Sequence, residues 1–455
     1  MNAEALPAEV RKALRTAWDP AAAASSMERW LTICNREGWG SCPQNLSLMT
    51  LLFGASWYFT RLVFFRGRET CRYFDEPSVT DCSTASLHQA LSMADADTDL
   101  EQRFDRLRLA KNEQMLRIFL AYLQDALHQE QMERALTSLA AASLQRAMEL
   151  LWQEDNHSVR EIAILAMGRM AGEEMNFGSD LDLIFLYSEK SGSDVGGLMR
   201  QIRILLRHIA LPAPSGILYE IDMRLRPHGT SGTLISPVRY FIEYHSSNRE
   251  IWERQMMTRC RPVVDRQALA ARALAAIAPF IYAPHDPEQL RAEILHMRKK
   301  VQDELGSPQE KYDLKRGSGG IMDIDFLTHF LQLRHGHASH ELRTASTRTA
   351  LRRLATAGII GAVPSGELLA AYDFLKKLEG VMRVADLKNV SAFSSNIQDH
   401  SNQRLARALG YLDDDIKRAT ERFLHEYVQV TRTVRGHFTA LVGELENQGL
   451  GGRYS

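Results

Sequence analysis

Residues 178–185, Gly-Ser-Asp-Leu-Asp-Leu-Ile-Phe, decide the fold because a glycine-serine turn leads two aspartates into an apolar strand. Side chains alternate along a strand, so Asp180 and Asp182 point to the same side. Two adjacent carboxylates repel each other, and a divalent cation such as Mg²⁺ would relieve the repulsion. A polar strand edge or a helix cap is the alternative. It fits poorly, because a buried strand does not carry carboxylates without a task.

A second segment, Tyr219–Pro227, adds a third carboxylate and two arginines. If it is a strand, Asp222, Arg224 and Arg226 lie on one face. Three carboxylates can hold metal and activate a hydroxyl, while guanidinium groups bind phosphate oxygens in pairs. Taken alone, this segment is equally compatible with a solvated ladder of ion pairs. Beside residues 178–182, it favours a phosphoryl-transfer site.

The region around both segments is the only one in which the sequence mixes strand and helix patterns. Short apolar runs predict strands at Glu161–Met167, Leu181–Tyr187 and Gly216–Arg226. Leu181–Tyr187 is almost wholly apolar, which predicts burial of both its faces. Leu198–Ile209 has a helical pattern that ends before two prolines. The pattern therefore predicts one mixed sheet with helices around it.

Helical patterns dominate on both sides of this region. The clearest segments are Leu100–Leu127, Met132–Trp152, Leu368–Val384 and Asp415–Val442. The polar stretch Glu154–Ser158 separates the first helices from the strands. We predict an α+β, mostly helical chain, with a helical N-terminal region at 1–150, a central domain at 151–335 that contains the mixed sheet, and a C-terminal helical bundle at 336–455.

Composition excludes several classes of protein. The 455 residues carry 55 Lys and Arg against 56 Asp and Glu, so bulk positive charge cannot hold nucleic acid or a membrane surface. Residues 1–11 lack the pattern of a signal peptide. The longest apolar run, Leu46–Phe59, is too short to cross a membrane and is predicted to be a buried helix. Five cysteines without a C-x-x-C pair are typical of thiols in a reducing cytoplasm.

The motifs resemble those of a known superfamily and of one family within it. Gly-Ser followed by Asp-x-Asp, with one Asp on a later strand, resembles the DNA polymerase β-like nucleotidyltransferases. The resemblance implies that 151–335 is a nucleotidyltransferase domain. The fuller match is to the glutamine synthetase adenylyltransferase/deadenylylase family. It rests on segments Leu51–Glu69, Arg106–Leu120, Met167–Tyr187, Tyr219–Gly229, Trp252–Val263 and Tyr312–Phe326.

The resemblance implies a reaction and its participants. Members of this family transfer AMP from ATP to a tyrosine hydroxyl of glutamine synthetase, and remove it again by phosphorolysis. Asp180, Asp182 and Asp222 would bind Mg²⁺, and Asp222 would also activate the hydroxyl. Gly178 and Ser179 would line the triphosphate. The two arginines that follow Asp222 are further candidates for binding the phosphates. No nucleic acid or membrane partner is expected, and a regulatory signalling protein remains open as a partner.

The sequence also departs from the family pattern. Known members usually carry two heads in tandem, whereas this chain carries one, so we expect either a single-headed form or half of a larger protein. Arg169, Ala171 and Glu173 replace the usual lysine, glycine and arginine of the turn, and Asp325 replaces a glutamate. We favour AMP transfer from ATP, and expect the helical segment after Gly336 to present the protein substrate. A phosphorolytic head and a catalytically silent nucleotide-binding module are the alternatives.

Three further features were open or of minor weight in the sequence. The loop Lys315–Gly320 could bind phosphates or partner protein, or simply connect two elements. Arg259 and Arg261 could assist at phosphate or pair with acids elsewhere. Trp252 is predicted to belong to the core.

Overall fold

A computed structural model describes residues 6–40, 42–76, 78–79, 81–92, 99–152, 162–189, 194–247, 250–308 and 311–445. The polar stretch predicted at Glu154–Ser158 lies outside these ranges. None of the helices in the described part of the chain is long and apolar enough to span a membrane.

The helices occupy most of the described chain. They are α1 (Ala8–Leu14), α2 (Pro20–Glu37), α3 (Leu46–Ala55), α4 (Trp57–Arg66), α5 (Arg72–Asp75), α6 (Thr84–Ser92), α7 (Leu100–Leu123), α8 (Gln129–Trp152), α9 (Gly168–Ala171), α10 (Val195–Ala210), α11 (Val238–Ser246), α12 (Ile251–Met257), α13 (Leu269–Ile281), α14 (Pro287–Leu305), α15 (Ile321–His335), α16 (Thr347–Thr356), α17 (Ala362–Val384), α18 (His400–Ala408) and α19 (Ile416–Leu441).

The strands form one central sheet and one small second sheet. They are β1 (Ile162–Met167), β2 (Leu181–Tyr187), β3 (Ile221–Asp222), β4 (Ile235–Pro237), β5 (Cys260–Val264), β6 (Lys311–Asp313) and β7 (Ala392–Ser394). In the central sheet, β1 pairs antiparallel with β2 and β5, and β2 pairs in parallel with both β3 and β4 along its other edge.

The central sheet lies between two layers of helices. Ile164, Leu183 and Phe185 pack into a core shared with the N-terminal helices. Their neighbours Leu165 and Ile184 pack on the opposite face, into a core shared with the helices that follow β4. This alternation is the pleat of a strand buried on both sides, which confirms the prediction for Leu181–Tyr187. The predicted α+β, mostly helical fold is also confirmed.

Two predictions about strands are wrong. The predicted strand Gly216–Arg226 is reduced to Ile221–Asp222, because only these two residues pair with β2 before the chain turns. Strands are also not confined to the central region. Lys311–Asp313 and Ala392–Ser394 pair antiparallel inside the C-terminal part, and their pairing positions the loop that begins at Lys315.

The N-terminal region differs from prediction at two points. The apolar run predicted as one helix breaks at Ser56, whose hydroxyl donates to the carbonyl of Val384 at 2.6 Å and caps α4. This bond ties the N-terminal helices to α17. Cys42 and Cys71 form a disulfide, so the prediction that the cysteines are thiols is wrong for this pair. The fold brings together two residues whose pairing no local pattern indicates.

Candidate active site

The fold brings the three predicted carboxylates together. The parallel register of β2 and β3 sets Asp182 directly beside Asp222, and Asp180 immediately precedes β2. One oxygen from each of the three lies within 4.8 Å of the others, and all three residues are half-buried. Among the described residues, this acidic triad is the one group of three or more His, Cys, Asp or Glu side chains close enough to share a metal ion.

Asp182 bears most of the electrostatic cost of this arrangement. Burial raises the pKa of its carboxyl to about 7, and the negative charges of Asp180 and Asp222 add to the effect. Gly168 lies against the same carboxyl at a φ of 54°, and a Cβ there would come within 2.9 Å of Asp182 Oδ2. A crowded carboxylate with a raised pKa fits a divalent cation, which would favour its ionised form.

Asp222 is held ready in its ionised form by Arg224. The Nε atom of Arg224 donates to both carboxylate oxygens at 3.0 and 2.8 Å, and the Arg224 backbone N–H donates to Oδ1 at 2.8 Å. These hydrogen bonds lower the pKa of Asp222. Arg224 lies here because the chain folds back at once, not because it shares a strand face with Asp222. Its side chain is exposed and can turn toward a phosphate.

Arg226 has a different environment from the one its spacing suggested. It does not lie on a strand, and its guanidinium donates to the carbonyls of Met223 at 2.7 Å, Thr230 at 3.3 Å and Gly232 at 3.3 Å. These bonds hold the turn that follows β3. A role for Arg226 in binding phosphate stays a prediction, and Arg224 is better placed for it.

Gly178 and Ser179 form a tight turn, here called the phosphate turn, beside the acidic triad. Gly178 has a φ of 62°, and any Cβ there would collide with the carbonyl of Leu387. Ser179 Oγ accepts the backbone N–H of Asn176 at 3.0 Å and a guanidinium N–H of Arg383 at 3.4 Å. The Ser179 hydroxyl proton has no acceptor within the described ranges, so it can donate to a phosphate oxygen.

Behind the turn lies a buried charge cluster that sequence reasoning missed. Glu379 receives Arg169 at 2.7 Å, Arg383 at 3.0 Å and Lys376 at 3.2 Å, and its side chain is fully buried. These cations hold the pKa of Glu379 well below its usual range despite burial. Arg169, one of the departures from the family pattern, therefore forms an ion pair between α9 and α17. No local motif marks Glu379, because its partners lie far away in sequence.

Lys315 brings the predicted glycine loop to the active site. Its charge acts on Asp182, and its own pKa is lowered to about 8, first by Arg169 and then by burial. Its ammonium group has no hydrogen bond or ion pair to any described residue. Since it is a cation without a carboxylate partner near the triad, it is a candidate for contact with bound phosphates.

The remaining candidates have structural roles. Arg259 forms ion pairs with Glu174 at 2.5 Å and Asp325 at 3.2 Å, and Asp325 also accepts the hydroxyl of Thr347 at 2.9 Å. Arg261 donates to two backbone carbonyls of the turn after β1. Both arginines thus pair within the protein. The prediction that Trp252 belongs to the core is wrong, because 46% of the residue is exposed.

Comparison with known proteins gives a consistent result. The sequence model described as glutamate-ammonia ligase adenylyltransferase matches residues 56–276, and that described as GlnD PII-uridylyltransferase matches residues 289–442. Similar curated proteins carry the name bifunctional glutamine synthetase adenylyltransferase/adenylyl-removing enzyme. One from Chromobacterium violaceum is 31% identical over 67% of this chain and 34% of its own length. One from Brucella suis is 30% identical over 76% of this chain and 36% of its own length.

The chain spans about a third of the length of these relatives. The matched segment 56–276 contains the whole acidic triad, the phosphate turn and the helices that cover one face of the sheet. Through this segment the chain belongs to the glutamate-ammonia ligase adenylyltransferase family.

Proposed function

We propose that this protein is a nucleotidyltransferase that moves AMP from ATP to a tyrosine hydroxyl of glutamine synthetase and releases pyrophosphate. The observation that carries the proposal is the acidic triad, with oxygens within 4.8 Å, beside the phosphate turn. The names of the similar proteins supply the substrate. We place the reaction in the cytoplasm. The disulfide between Cys42 and Cys71 is uncommon for a protein of that compartment.

The residues of the acidic triad fit Mg²⁺. Carboxylate oxygens are the ligands this ion prefers, and three crowded carboxylates are costly without a cation. When bound, Mg²⁺ would offset the negative charge of the triphosphate and of the carboxylates around it.

The residues of the chain divide the remaining work. Ser179 can donate its free hydroxyl proton to a phosphate oxygen, while Asn176 and Arg383 fix its position. Asp222 can accept the proton of the tyrosine hydroxyl, because the hydrogen bonds from Arg224 lower its pKa and keep its carboxylate ionised at neutral pH. Arg224 must first break its hydrogen bonds to one oxygen of that carboxylate. Its side chain is exposed, so it is free to move. Lys315 and Arg224 can then bind phosphate oxygens from two sides of the site.

The direct test is mass spectrometry of glutamine synthetase after incubation with the protein, ATP and Mg²⁺. A gain of one AMP on a tyrosine supports the proposal, and the Asp182→Asn variant should give none. Incubation of premodified glutamine synthetase with orthophosphate tests the reverse direction. Loss of AMP there, with no gain from ATP, would assign the phosphorolytic reaction. Absence of both reactions would favour a silent binding module.

The match of residues 289–442 to PII-uridylyltransferase supports one alternative. On this alternative the same triad transfers UMP from UTP to a signalling protein of the PII class. A parallel incubation with UTP and a PII protein distinguishes the two, because the added mass differs between AMP and UMP. Modification of the PII protein alone would contradict our proposal.

A further inference from the structure

An inner cavity lies next to the acidic triad, between the N-terminal helices and the sheet. Its volume is about 230 Å³, and its walls include Gly178, Ser179 and Glu220. Glu220 also lines the open cleft that contains Asp180 and Asp222. The cavity therefore borders both the phosphate turn and the site of reaction.

The size and lining of the inner cavity limit what it can bind. It is smaller than the ~300–1,000 Å³ typical of sites that enclose a drug-sized ligand, so it holds one part of a nucleotide rather than the whole. Phe177, Leu218 and Met115 contribute buried apolar surface. A largely apolar wall suits a base and sugar, and does not suit a polyphosphate.

Lys111 from α7 lines this cavity, where the Tyr219 ring gives its charge a cation–π contact but no described residue gives it a hydrogen-bond acceptor or a counter-ion. The residue is only 5% exposed. Its ammonium nitrogen lies 5.2 Å from the centre of the Tyr219 ring, and it has no hydrogen bond or ion pair to any residue the structure describes. Burial and the nearby charge of Arg108 lower the pKa of Lys111 to about 7. A buried amine without an acceptor is costly, and such groups concentrate at functional sites.

The neighbours of Lys111 on α7 show that its isolation is particular to this side chain. Arg108 forms an ion pair with Asp105 and donates to the carbonyl of His208 at 2.7 Å. Asn112 donates to the carbonyl of Ser215 at 2.9 Å. Tyr58 adds a second donor to the cavity wall, since its half-buried hydroxyl has no partner among the described residues.

The geometry points to this cavity as the pocket for the adenosine part of ATP, with Lys111 and Tyr58 donating hydrogen bonds to its ring nitrogens or sugar oxygens. The inference rests on the proposed function, which supplies ATP as the ligand. With adenosine in the cavity, the phosphates extend across Ser179 toward the triad. The two unpartnered donors then gain acceptors, and the apolar wall covers the base.

The test compares three probes: ATP, adenosine, and inorganic tripolyphosphate. Calorimetry measures each on the full chain, with Mg²⁺ for the two polyphosphates. Lys111→Met should weaken the binding of ATP and of adenosine about tenfold. The affinity for tripolyphosphate should stay within twofold of the wild-type value. Tyr58→Phe removes the hydroxyl and retains the aromatic ring. It should also weaken the binding of adenosine. Gln114→Met, on the same helix but outside the cavity, is the matched control and should change none of the three.

Several outcomes would overturn the inference. Unchanged ATP and adenosine affinities in Lys111→Met would do so, as would equal weakening of tripolyphosphate, which would make Lys111 a phosphate ligand. Wild-type protein that binds ATP no more tightly than tripolyphosphate would also overturn it. Should Lys111→Met fail to fold, Tyr58→Phe decides. A wild type that binds adenosine with this dependence but transfers no AMP contradicts the proposed function and leaves the pocket in place.

Discussion

The ionised carboxylate of Asp182 destabilises the folded, metal-free protein, and replacing Asp182 with asparagine measures this destabilisation. Its carboxyl has a pKa of about 7 in the folded protein against an ordinary value of 3.8. A difference of about three pH units corresponds to about 4 kcal/mol of unfavourable free energy when the group is ionised. Solvent at the half-buried carboxyl reduces the expected value to about 2–4 kcal/mol. Asp182→Asn should therefore stabilise the metal-free protein at pH 8.

The sign of the pH dependence follows from the direction of the pKa. Because the folded state binds the Asp182 proton more tightly than the unfolded state, this residue costs nothing below pH 3.8. The cost grows as pH rises from about 4 to 7 and is complete above pH 7. With unfolding entropy of about 2.1 cal/mol/K per residue, 1 kcal/mol shifts the melting temperature of a chain this long by about 1 °C. We expect a gain of about 2–4 °C at pH 8 and none at pH 4.

The assay measures thermal unfolding by calorimetry in EDTA at pH 4, 6 and 8. Asp414→Asn is the control, because Asp414 is exposed and has no partner among the described residues. In the presence of Mg²⁺, Asp182→Asn should lose AMP transfer at least 100-fold, since one of the proposed metal ligands is missing. A lower melting temperature at pH 8, a gain that is equal at pH 4 and pH 8, or near-normal transfer would refute the reasoning.

Three other substitutions test separate parts of the site. Asp222→Ala should abolish AMP transfer, but the affinity for ATP measured by calorimetry should stay within about tenfold, because the other two carboxylates remain. A total loss of ATP binding would show that Asp222 is mainly a nucleotide ligand. Glu379→Gln removes the negative charge that three buried cations share, and should lower the free energy of unfolding by about 3–5 kcal/mol in a thermal unfolding experiment. An unchanged melting temperature would contradict a stabilising role for this charge cluster. Gly178→Ala should lower both stability and ATP affinity, because it adds a collision with Leu387 to a cost of about 1–2 kcal/mol from its positive φ. Gly358→Ala shares the positive φ in open space, so equal losses in both variants would exclude the collision.

The sequence predicts the parts of the site that are local. Residues 181–187 are a strand in the structure as predicted, because a short apolar run with buried faces on both sides leaves few other conformations. The approach of Asp180 and Asp182 to each other follows from strand alternation. Their approach to Asp222 depends on the parallel pairing of β2 and β3, which two residues are enough to set.

The parts that were wrong or missed depend on contacts between distant segments. The strand predicted at 216–226 ends at Asp222 because the backbone N–H of Arg224 donates to the Asp222 carboxylate instead of to a neighbouring strand. The three-residue strands β6 and β7 are too short for any periodic pattern to show. Glu379 reads as an ordinary helix residue, and only the fold shows that Arg169 reaches it from 210 positions away.

The C-terminal part of the chain contributes directly to the candidate active site. The carbonyl of Leu387 lies where a side chain at position 178 would have to go, and Arg383 donates to the Ser179 hydroxyl. Lys315, two residues after the end of β6, places its charge near Asp182. These contacts hold the phosphate turn and supply positive charge to a site whose own sheet supplies carboxylates. The motifs at 178–182 and 312–326 therefore belong to one site, and a fragment that ended before β6 would keep the acidic triad while losing the contacts that shape its phosphate side.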